Sequence, residues 1–180
     1  MAQPFFTIGH STRSLDEVIA LLQENHVACL VDIRKLPGSR AQPQFNEASL
    51  SAALAAQGMA YLHLAALGGL RGRTPGVPPE RNGLWHNASF HRYADYAGTP
   101  AFRAGLEQLL ALGQNQRCAL MCAEAVWWRC HRRIVTDYLL ACGEAVFHIM
   151  GPGKAEPARL TPGAVVEQGG VVSYPPASSA

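Results

Sequence analysis

The amino-acid sequence predicts an α/β fold, a three-layer arrangement in which helices cover both faces of a mostly parallel sheet of about five strands. Short apolar runs rich in β-forming residues alternate with longer amphipathic segments along most of the 180 residues. Clusters of glycine and proline separate these segments. Parallel strands joined by right-handed helical crossovers satisfy such alternation, so we expect a single α/β domain over residues 1–180.

Three strands and two helices are predicted in the first part of the chain. Ser14 and Glu17 are spaced as a capping box at the start of the first helix. Asn46 has suitable chemistry to cap the second helix, and Gly58 to end it. Residues 65–88 lack periodicity and are rich in Gly, Pro and Arg, which predicts a long loop or lid. The strands are expected at residues 5–10, 28–34 and 59–64, and the helices at residues 14–26 and 46–58.

The second part of the chain continues the alternation. Thr99 is expected to cap a helix that has Pro100 at its first position and that ends at Gly113. A later helix is expected to run from Val126 to Cys142. A short helix is predicted at residues 90–97, strands at residues 117–123 and 145–150, and a C-terminal extension with a small hairpin at residues 151–180.

The composition argues against several classes of protein. The formal net charge of +2 and the 16% of charged residues are ordinary for a globular protein and give little support to nucleic-acid binding. No apolar run of about 18 residues occurs, and the first residues lack the pattern of a secretory signal, so we expect no membrane association. The five cysteines show no disulfide framework and suit reduced thiols in the cytoplasm.

Reactive side chains follow one predicted strand after another. In parallel sheets, ligands bind outside the carboxyl ends of the strands, and these residues occur at those ends. A second group, Cys130, His131 and Arg132, comes shortly after the fourth strand. We therefore expect the two groups to face a common cleft. The residues at the strand ends are His10, Ser11, Asp32, Arg34, His63, Cys122 and Glu124.

Four motifs in this region resemble those of the domain of unknown function 488 family. They are "TIGHST" (7–12), "VDIRKLPGS" (31–39), "YLHLAALGG" (61–69) and "CAE…CHRR" (122–133), in the order in which the family has them. The resemblance covers about residues 5–175 and implies a bacterial or archaeal cytosolic protein with a small α/β fold and no settled activity. It also marks the motif residues as His10, Ser11, Asp32, Arg34, Pro37, Ser39, His63, Gly68, Gly69, Cys122, Glu124, Cys130, His131 and Arg132.

Cys122 is the main candidate for a nucleophile or a metal ligand. It ends a strand directly before a predicted helix, where exposed amides and the helix dipole favour a thiolate. Glu124 and His131 are candidates for acid–base or orienting groups, and His10 is a further one near neutral pH. Asp32 is grouped with these catalytic candidates because it lies at a neighbouring strand end.

Substrate binding is assigned to the surrounding arginines and to several small or polar residues. Arg34 and Arg132 are expected to clamp an anion, since a guanidinium group suits bidentate binding of carboxylate or phosphate. Arg40, Arg71 and Arg73 are expected to complete an anion pocket under the long loop. The expected partner is therefore a small anionic or nucleotide-like molecule. The remaining substrate-binding candidates are Ser11, Ser39, His63, Gly68 and Gly69.

The spacing of Cys122 and Cys130 leaves their relation open. It fits neither a Cys-x-x-Cys redox motif nor the phosphate-binding loop of a tyrosine phosphatase, because Trp128 occupies the place of the arginine. A sulfur transfer of the rhodanese kind remains a loose analogy. If the following helix starts near Trp128 rather than at Val126, the two cysteines can meet, either as a redox pair or as joint metal ligands.

Two classes of function follow from these residues. The favoured one is an enzyme that performs group transfer or hydrolysis on the small anionic substrate. The alternative is a binding protein without catalysis, either a metal sensor or a nucleic-acid-binding module. No cofactor is indicated, but a divalent metal is possible, since zinc and iron accept mixed ligand sets. Its ligands would be Cys122, Glu124, Cys130 and His131.

Overall fold

The computed structural model describes residues 3–177 and contains a six-stranded sheet in the order β3-β2-β4-β1-β5-β6. Strands β1 to β5 are parallel, and β6 pairs antiparallel with β5 at one edge. The predicted α/β class with a mostly parallel sheet is confirmed, and β6 is a strand that the sequence did not indicate. The strands are β1 (Phe5–Gly9), β2 (Cys29–Asp32), β3 (Ala60–His63), β4 (Cys118–Cys122), β5 (Val146–Gly151) and β6 (Lys154–Pro157).

Five α-helices lie on the two faces of this sheet within residues 3–177. Helices α1 and α2 pack on one face with inward residues such as Leu30, and α3, α4 and α5 pack on the other with residues such as Val31. The central strands β1, β2 and β4 are buried at every residue, which explains their continuous apolar runs. The helices are α1 (Leu15–Glu24), α2 (Glu47–Ala56), α3 (Ala88–Ala97), α4 (Pro100–Asn115) and α5 (Arg132–Ala141).

The starts of α1 and α2 show which of the predicted helix caps form in the structure. Ser14 and Glu17 form the predicted capping box at the start of α1. Asn46 occupies the cap position of α2, but its side chain does not cap the helix. Instead its Oδ1 accepts a hydrogen bond from the backbone N–H of Ser39 at 2.7 Å. The cap prediction for Asn46 was therefore wrong, because the side chain ties down the preceding loop.

Gly113 does not end α4, as the sequence suggested, because the helix continues to Asn115. A Cβ atom at position 113 would lie 2.2 Å from Cζ of Phe5. The glycine thus permits close contact between the helix and the β1 aromatic ring. Glycine is also the residue that commonly ends a helix, so a packing requirement was mistaken for a helix stop.

The helix predicted from Val126 begins later, at Arg132. Residues Trp127–Arg129 form a single 3-10 turn, and Cys130 has extended backbone angles that interrupt any helix. Trp127 stacks on His148 of β5, with ring centroids 4.6 Å apart. This tertiary packing holds the segment against the sheet, so the chain enters α5 about 1.7 turns later than its pattern predicts.

The C-terminal residues form the predicted hairpin. β7 (Val165–Val166) pairs antiparallel with β8 (Val172–Ser173), and the turn contains Gly169 with φ 82° and Gly170 with φ 77°. The following Tyr174 is buried and donates its hydroxyl hydrogen to Asp137 of α5 at 2.7 Å.

None of the helices within residues 3–177 combines the length and the apolar character that crossing a bilayer requires.

Candidate functional site

A cleft of ≈ 930 Å³ opens at the carboxyl ends of β1, β2 and β4. These three strands are neighbours in the sheet, so their C-terminal residues meet at one edge, as the sequence predicted. Most of the predicted site residues line this cleft. They are His10, Ser11, Arg34, Ser39, Gly69, Cys122, Glu124, Cys130 and His131.

Four predicted site residues lie behind the wall of the cleft. Asp32 is fully buried and binds Arg34. His63 donates from Nε2 to the backbone carbonyl of Arg34 at 2.8 Å and so supports the strand end instead of facing the cleft. Gly68 lies against the backbone of Lys35, where a Cβ atom would be 2.9 Å from its Cα. Arg132, the fourth, is fully buried beneath the floor.

Two thiols form the floor of the cleft. Cys122, the last residue of β4, is 2% exposed, and Cys130 is 4% exposed. Their sulfur atoms are 2.7 Å apart, and both cysteines are free. The late start of α5 creates this contact, because the extended residue Cys130 can fold back onto the strand end. The alternative of a meeting cysteine pair is therefore the one that the structure adopts.

Arg132 places an uncompensated positive charge beside these thiols. It is 0% exposed, and Nη2 donates to the carbonyl of Ala125 at 3.2 Å. Among the residues that the structure describes, Nε and Nη1 have no hydrogen-bond partner and no carboxylate forms an ion pair with the guanidinium. A buried charge is costly unless an anion accompanies it. The side chains beside it that can become anions are Cys122 and Cys130, and Cys122 is the one whose pKa is lowered.

Gly9 makes the position of Arg132 possible. A Cβ atom at residue 9 would lie 1.6 Å from the carbonyl oxygen of Glu124 and 2.9 Å from Nη1 of Arg132. No L side chain fits there without displacing both groups. The glycine that ends β1 is therefore required by the close approach of the β4 loop and of the buried guanidinium.

The two thiols share one proton unequally. Burial alone would raise the pKa of Cys122, but the hydrogen bond from Cys130, the charge of Arg132 and a backbone hydrogen bond at Glu124 together lower it. The pKa of Cys130 is raised well above its usual value by burial and by the neighbouring sulfur of Cys122. Cys130 donates a hydrogen bond to Cys122, so Cys122 is the sulfur of the pair that loses its proton more readily.

His131 supports this assignment of the proton. Its Nε2 is 2.8 Å from the carbonyl of Ile33, which only accepts, so Nε2 carries the hydrogen. Nδ1 is then unprotonated, and it lies 3.5 Å from Sγ of Cys130. The Nδ1 lone pair repels negative charge, so it disfavours a thiolate at Cys130. Burial lowers the pKa of His131 to about 4, which keeps the ring neutral near pH 7.

A buried ion pair builds the neighbouring wall. Arg34 binds the Asp32 carboxylate with two hydrogen bonds of 2.9 and 2.7 Å, and the Tyr61 hydroxyl donates to the same carboxylate at 2.6 Å. Arg34 Nη1 lies 3.4 Å from Nε2 of His10, and the His10 ring stacks on Phe45. Because the Asp32 carboxylate binds Nε and Nη2 of Arg34, only Nη1 of the guanidinium is directed toward the cleft.

The tautomer of His10 follows from its two contacts. Nδ1 lies 2.9 Å from the carbonyl of Ser11 and must donate to it, which leaves Nε2 to accept from Arg34. Burial lowers the pKa of His10, and the charge of Arg34 lowers it further. The ring is therefore neutral near pH 7, with its polar atoms engaged at the base of the cleft.

The rim of the cleft combines cations with apolar side chains. Lys35 and Arg129 are exposed on the lining, where Glu124 is the acidic member. Leu36 is 76% exposed and Leu70 is 78% exposed. These two large aliphatic residues add exposed apolar surface to the lining of the same cleft. The rim thus suits a molecule with a negative charge and some apolar surface.

Backbone strain occurs at the same cleft. Ser11 and Leu70 both adopt positive φ, 47° and 58° respectively. Positive φ is unusual for a leucine because it is sterically unfavourable, so the surrounding structure must hold Leu70 in this conformation. Positive φ at Leu70 turns its side chain out of the core and onto the rim.

The other arginines expected in an anion pocket lie elsewhere. Arg71 stacks over the ring of Tyr96 at 4.0 Å and donates to two backbone carbonyls of the loop. Arg73 lines a separate cavity of ≈ 680 Å³ with residues of α3. Arg40 is exposed outside the lining. The expectation that these three arginines join Arg34 in one pocket was therefore wrong.

The metal alternative can be compared with the geometry. Within residues 3–177, no three His, Cys, Asp or Glu side chains converge as metal ligands. Cys130 contacts both Cys122 and His131, but these three side chains do not form a ligand group, and the exposed Glu124 does not complete one. Metal binding by these four residues remains a prediction that elemental analysis of the purified protein would test.

Stability should fall with acidification below pH 6.5. Burial lowers the pKa of His131 to about 4 and that of His148 to about 3, from 6.5 in the unfolded chain. The unfolded chain therefore binds more protons between pH 6.5 and about 4, so the free energy of unfolding decreases as the pH falls through this window. Urea denaturation over a pH series measures the slope, which His148→Phe should reduce. An equal slope in that variant would contradict the assignment.

Several residues at the site escaped sequence reasoning. Tyr61, Phe45 and Gln42 contact or line it, as do the rim residues Leu36 and Leu70. Tyr61 had one available signal, because it lies two residues before His63 on a strand and so shares its face. The rim leucines had none, since isolated aliphatic residues in a loop do not reveal their exposure.

Comparison with known proteins places the chain in a family. No curated protein and no solved structure matches it. The family model described as "Domain of unknown function DUF488" matches residues 14–139, which is more than half of the chain. The match covers the Asp32–Arg34 wall and both floor cysteines, while the "TIGHST" motif precedes it. The chain therefore belongs to the DUF488 family.

Proposed function

We propose that this protein is a thiol-dependent enzyme in which Cys122 attacks a small anionic substrate held in the cleft. The reaction class is group transfer with a covalent intermediate on sulfur. Its free thiols suit a reducing compartment such as the cytoplasm.

One observation carries the proposal: a free thiol at a strand end faces the cleft beside a buried arginine that lacks a carboxylate partner in residues 3–177. A structural cysteine in an apolar core has no use for such a charge, and the protein would be more stable without it. A nucleophilic thiol needs its anion stabilised, since the thiolate is the reactive form. The cost of burying Arg132 is thus explained by an active thiolate at Cys122.

The remaining groups have roles that fit an anionic substrate. Lys35 and Arg129 attract negative charge to the mouth, and Nη1 of Arg34 with the backbone near Ser11 lines the interior. Glu124 lies at the mouth, where it is placed to exchange protons with a leaving group. Asp32 fixes the guanidinium of Arg34 and is a positioning residue.

Alkylation of the folded protein tests the proposal. Iodoacetamide should modify Cys122 faster than the other cysteines at neutral pH, and the rate should follow a pKa below that of a free thiol. Cys122→Ser should abolish this fast phase. Peptide mapping by mass spectrometry identifies the modified residue. Comparing iodoacetate with iodoacetamide then tests the charge preference, because a cationic cleft should favour iodoacetate relative to a model thiol.

Cys29→Ser provides a matched control. Cys29 is also a strand residue with 2% exposure, but it does not line the cleft. Its substitution should leave the fast phase intact while removing an equally buried thiol. Slow alkylation of Cys122 with the pH dependence of an ordinary thiol would overturn the proposed function.

A further inference from the structure

We propose that Cys130 is a resolving thiol and that the substrate is a small disulfide, reduced by the Cys122–Cys130 pair. This proposal rests on the proposed function and names the substrate class of the same site. It follows from the contact between the two sulfur atoms and from the groups that surround each of them.

The contact itself limits the chemistry. The sulfur atoms are 2.7 Å apart and need to approach by only some tenths of an ångström to reach a disulfide bond length of about 2.05 Å. When a substrate sulfur is bound to Cys122, a neighbouring thiol can attack Sγ of Cys122 and expel the substrate sulfur as a thiolate.

The reaction has two balanced steps. The Cys122 thiolate attacks one sulfur of the disulfide R–S–S–R, forms a Cys122–S–S–R bond and releases the first R–S⁻. Cys130 then attacks Sγ of Cys122 and passes its proton to the departing sulfur, so that the second half of the substrate leaves as R–SH. The substrate gains two electrons, and the protein dithiol loses them to become a Cys122–Cys130 disulfide. A small dithiol would return the protein to its reduced state.

The surroundings of Cys130 change in the required direction between the two steps. In the resting protein, the neighbouring Cys122 sulfur helps to raise the pKa of Cys130. That influence disappears once Cys122 is in a mixed disulfide. The charge of Arg132 and its backbone N–H, 3.4 Å from Sγ of Cys130, both favour a thiolate and remain in place. One buried guanidinium therefore stabilises the two thiolates in succession.

A second cysteine pair shows that proximity alone is not sufficient. Cys29 and Cys118 are directly paired residues of β2 and β4, and both are buried. They lie at the amino ends of their strands, outside the cleft lining, and their pKa values respond to burial and to each other rather than to an arginine. This pair lacks the access and the buried cation that the Cys122–Cys130 pair has.

Reaction with dithiodiglycolate, a small disulfide with a carboxylate on each half, tests the inference. The wild-type protein should release two thiols and lose two hydrogens in mass, with Cys122 and Cys130 joined in the peptide map. Cys130→Ser should release one thiol and retain one thioglycolate group on Cys122. Cys130→Ala provides a second variant if the serine impairs folding, which circular dichroism would reveal. Cys29→Ser should behave as the wild type does.

The outcomes separate the two proposals. If iodoacetamide modifies Cys122 rapidly but dithiodiglycolate leaves a stable mixed disulfide on the wild-type protein, Cys130 does not resolve and this inference fails alone. If Cys122 reacts with neither reagent, the proposed function fails as well. Disulfide formation between Cys29 and Cys118 in place of the cleft pair would also overturn the inference.

Discussion

Replacing Arg132 with methionine is expected to slow alkylation of Cys122 at pH 7 by about tenfold or more. The thiolate is the form that reacts, and each unit added to the thiol pKa lowers its population about tenfold. Arg132 is the buried charge that lowers this pKa, and methionine has similar length without the charge. The same substitution should leave the free energy of unfolding unchanged or raise it, since the unpaired charge is itself destabilising. Alkylation rates over a pH series and urea denaturation measure the two effects.

Arg133→Met is the matched control for this prediction. The adjacent arginine packs over Trp85 and Trp127 and donates to Thr161, away from the thiols. Its loss should weaken packing without changing the reactivity of Cys122. Equal alkylation rates in Arg132→Met and the wild type would show that the guanidinium does not stabilise the thiolate. A large loss of stability would instead assign Arg132 a structural role.

Asp32→Asn is expected to lower the free energy of unfolding by about 3–5 kcal/mol, because it leaves the charge of the buried Arg34 without its partner. Both side chains are almost fully enclosed, and two hydrogen bonds of 2.9 and 2.7 Å join them. Loss of the carboxylate also weakens the hydrogen bond from Tyr61, which is 2.6 Å long. Urea denaturation at pH 7 gives the free energy of unfolding.

The double variant Asp32→Asn with Arg34→Met distinguishes a charge effect from a packing effect. Removing Arg34 as well should recover much of the lost stability, since the unpaired cation is then absent. Asp16→Asn, at an exposed position in the first turn of α1, should cost no more than about 1 kcal/mol. Additive losses in the double variant would contradict the ion-pair interpretation.

The two buried arginines have opposite relations to their surroundings. Arg34 is satisfied by a carboxylate two residues earlier on the same strand end, so its charge is used to build the wall. Arg132 has no such partner within residues 3–177, so its charge remains available to a thiolate. The sequence assigned both residues to one anion clamp. The difference between them depends on which side chain each one meets after folding.

The start of α5 is set by tertiary contacts that the local sequence pattern does not predict. The residues from Val126 onward have a helical pattern, yet Trp127 packs against His148 and Cys130 is extended. These contacts join segments that lie far apart in the chain. Their energy exceeds the small preference of any single residue for a helix. The consequence for function is large, because the displaced helix start is what brings Cys130 to Cys122.

Local sequence patterns were enough to predict the α/β class, most strands and helices, and the edge of the sheet at which His10, Arg34, Cys122 and Glu124 meet. Periodicity and strand–helix alternation are local properties, and parallel topology places all carboxyl ends of the strands together. Three features could not be predicted in this way: Cys130 touches Cys122, His63 supports the wall from behind, and Arg132 is buried without a carboxylate partner within residues 3–177. Such properties are set by contacts between distant segments, which no local pattern encodes.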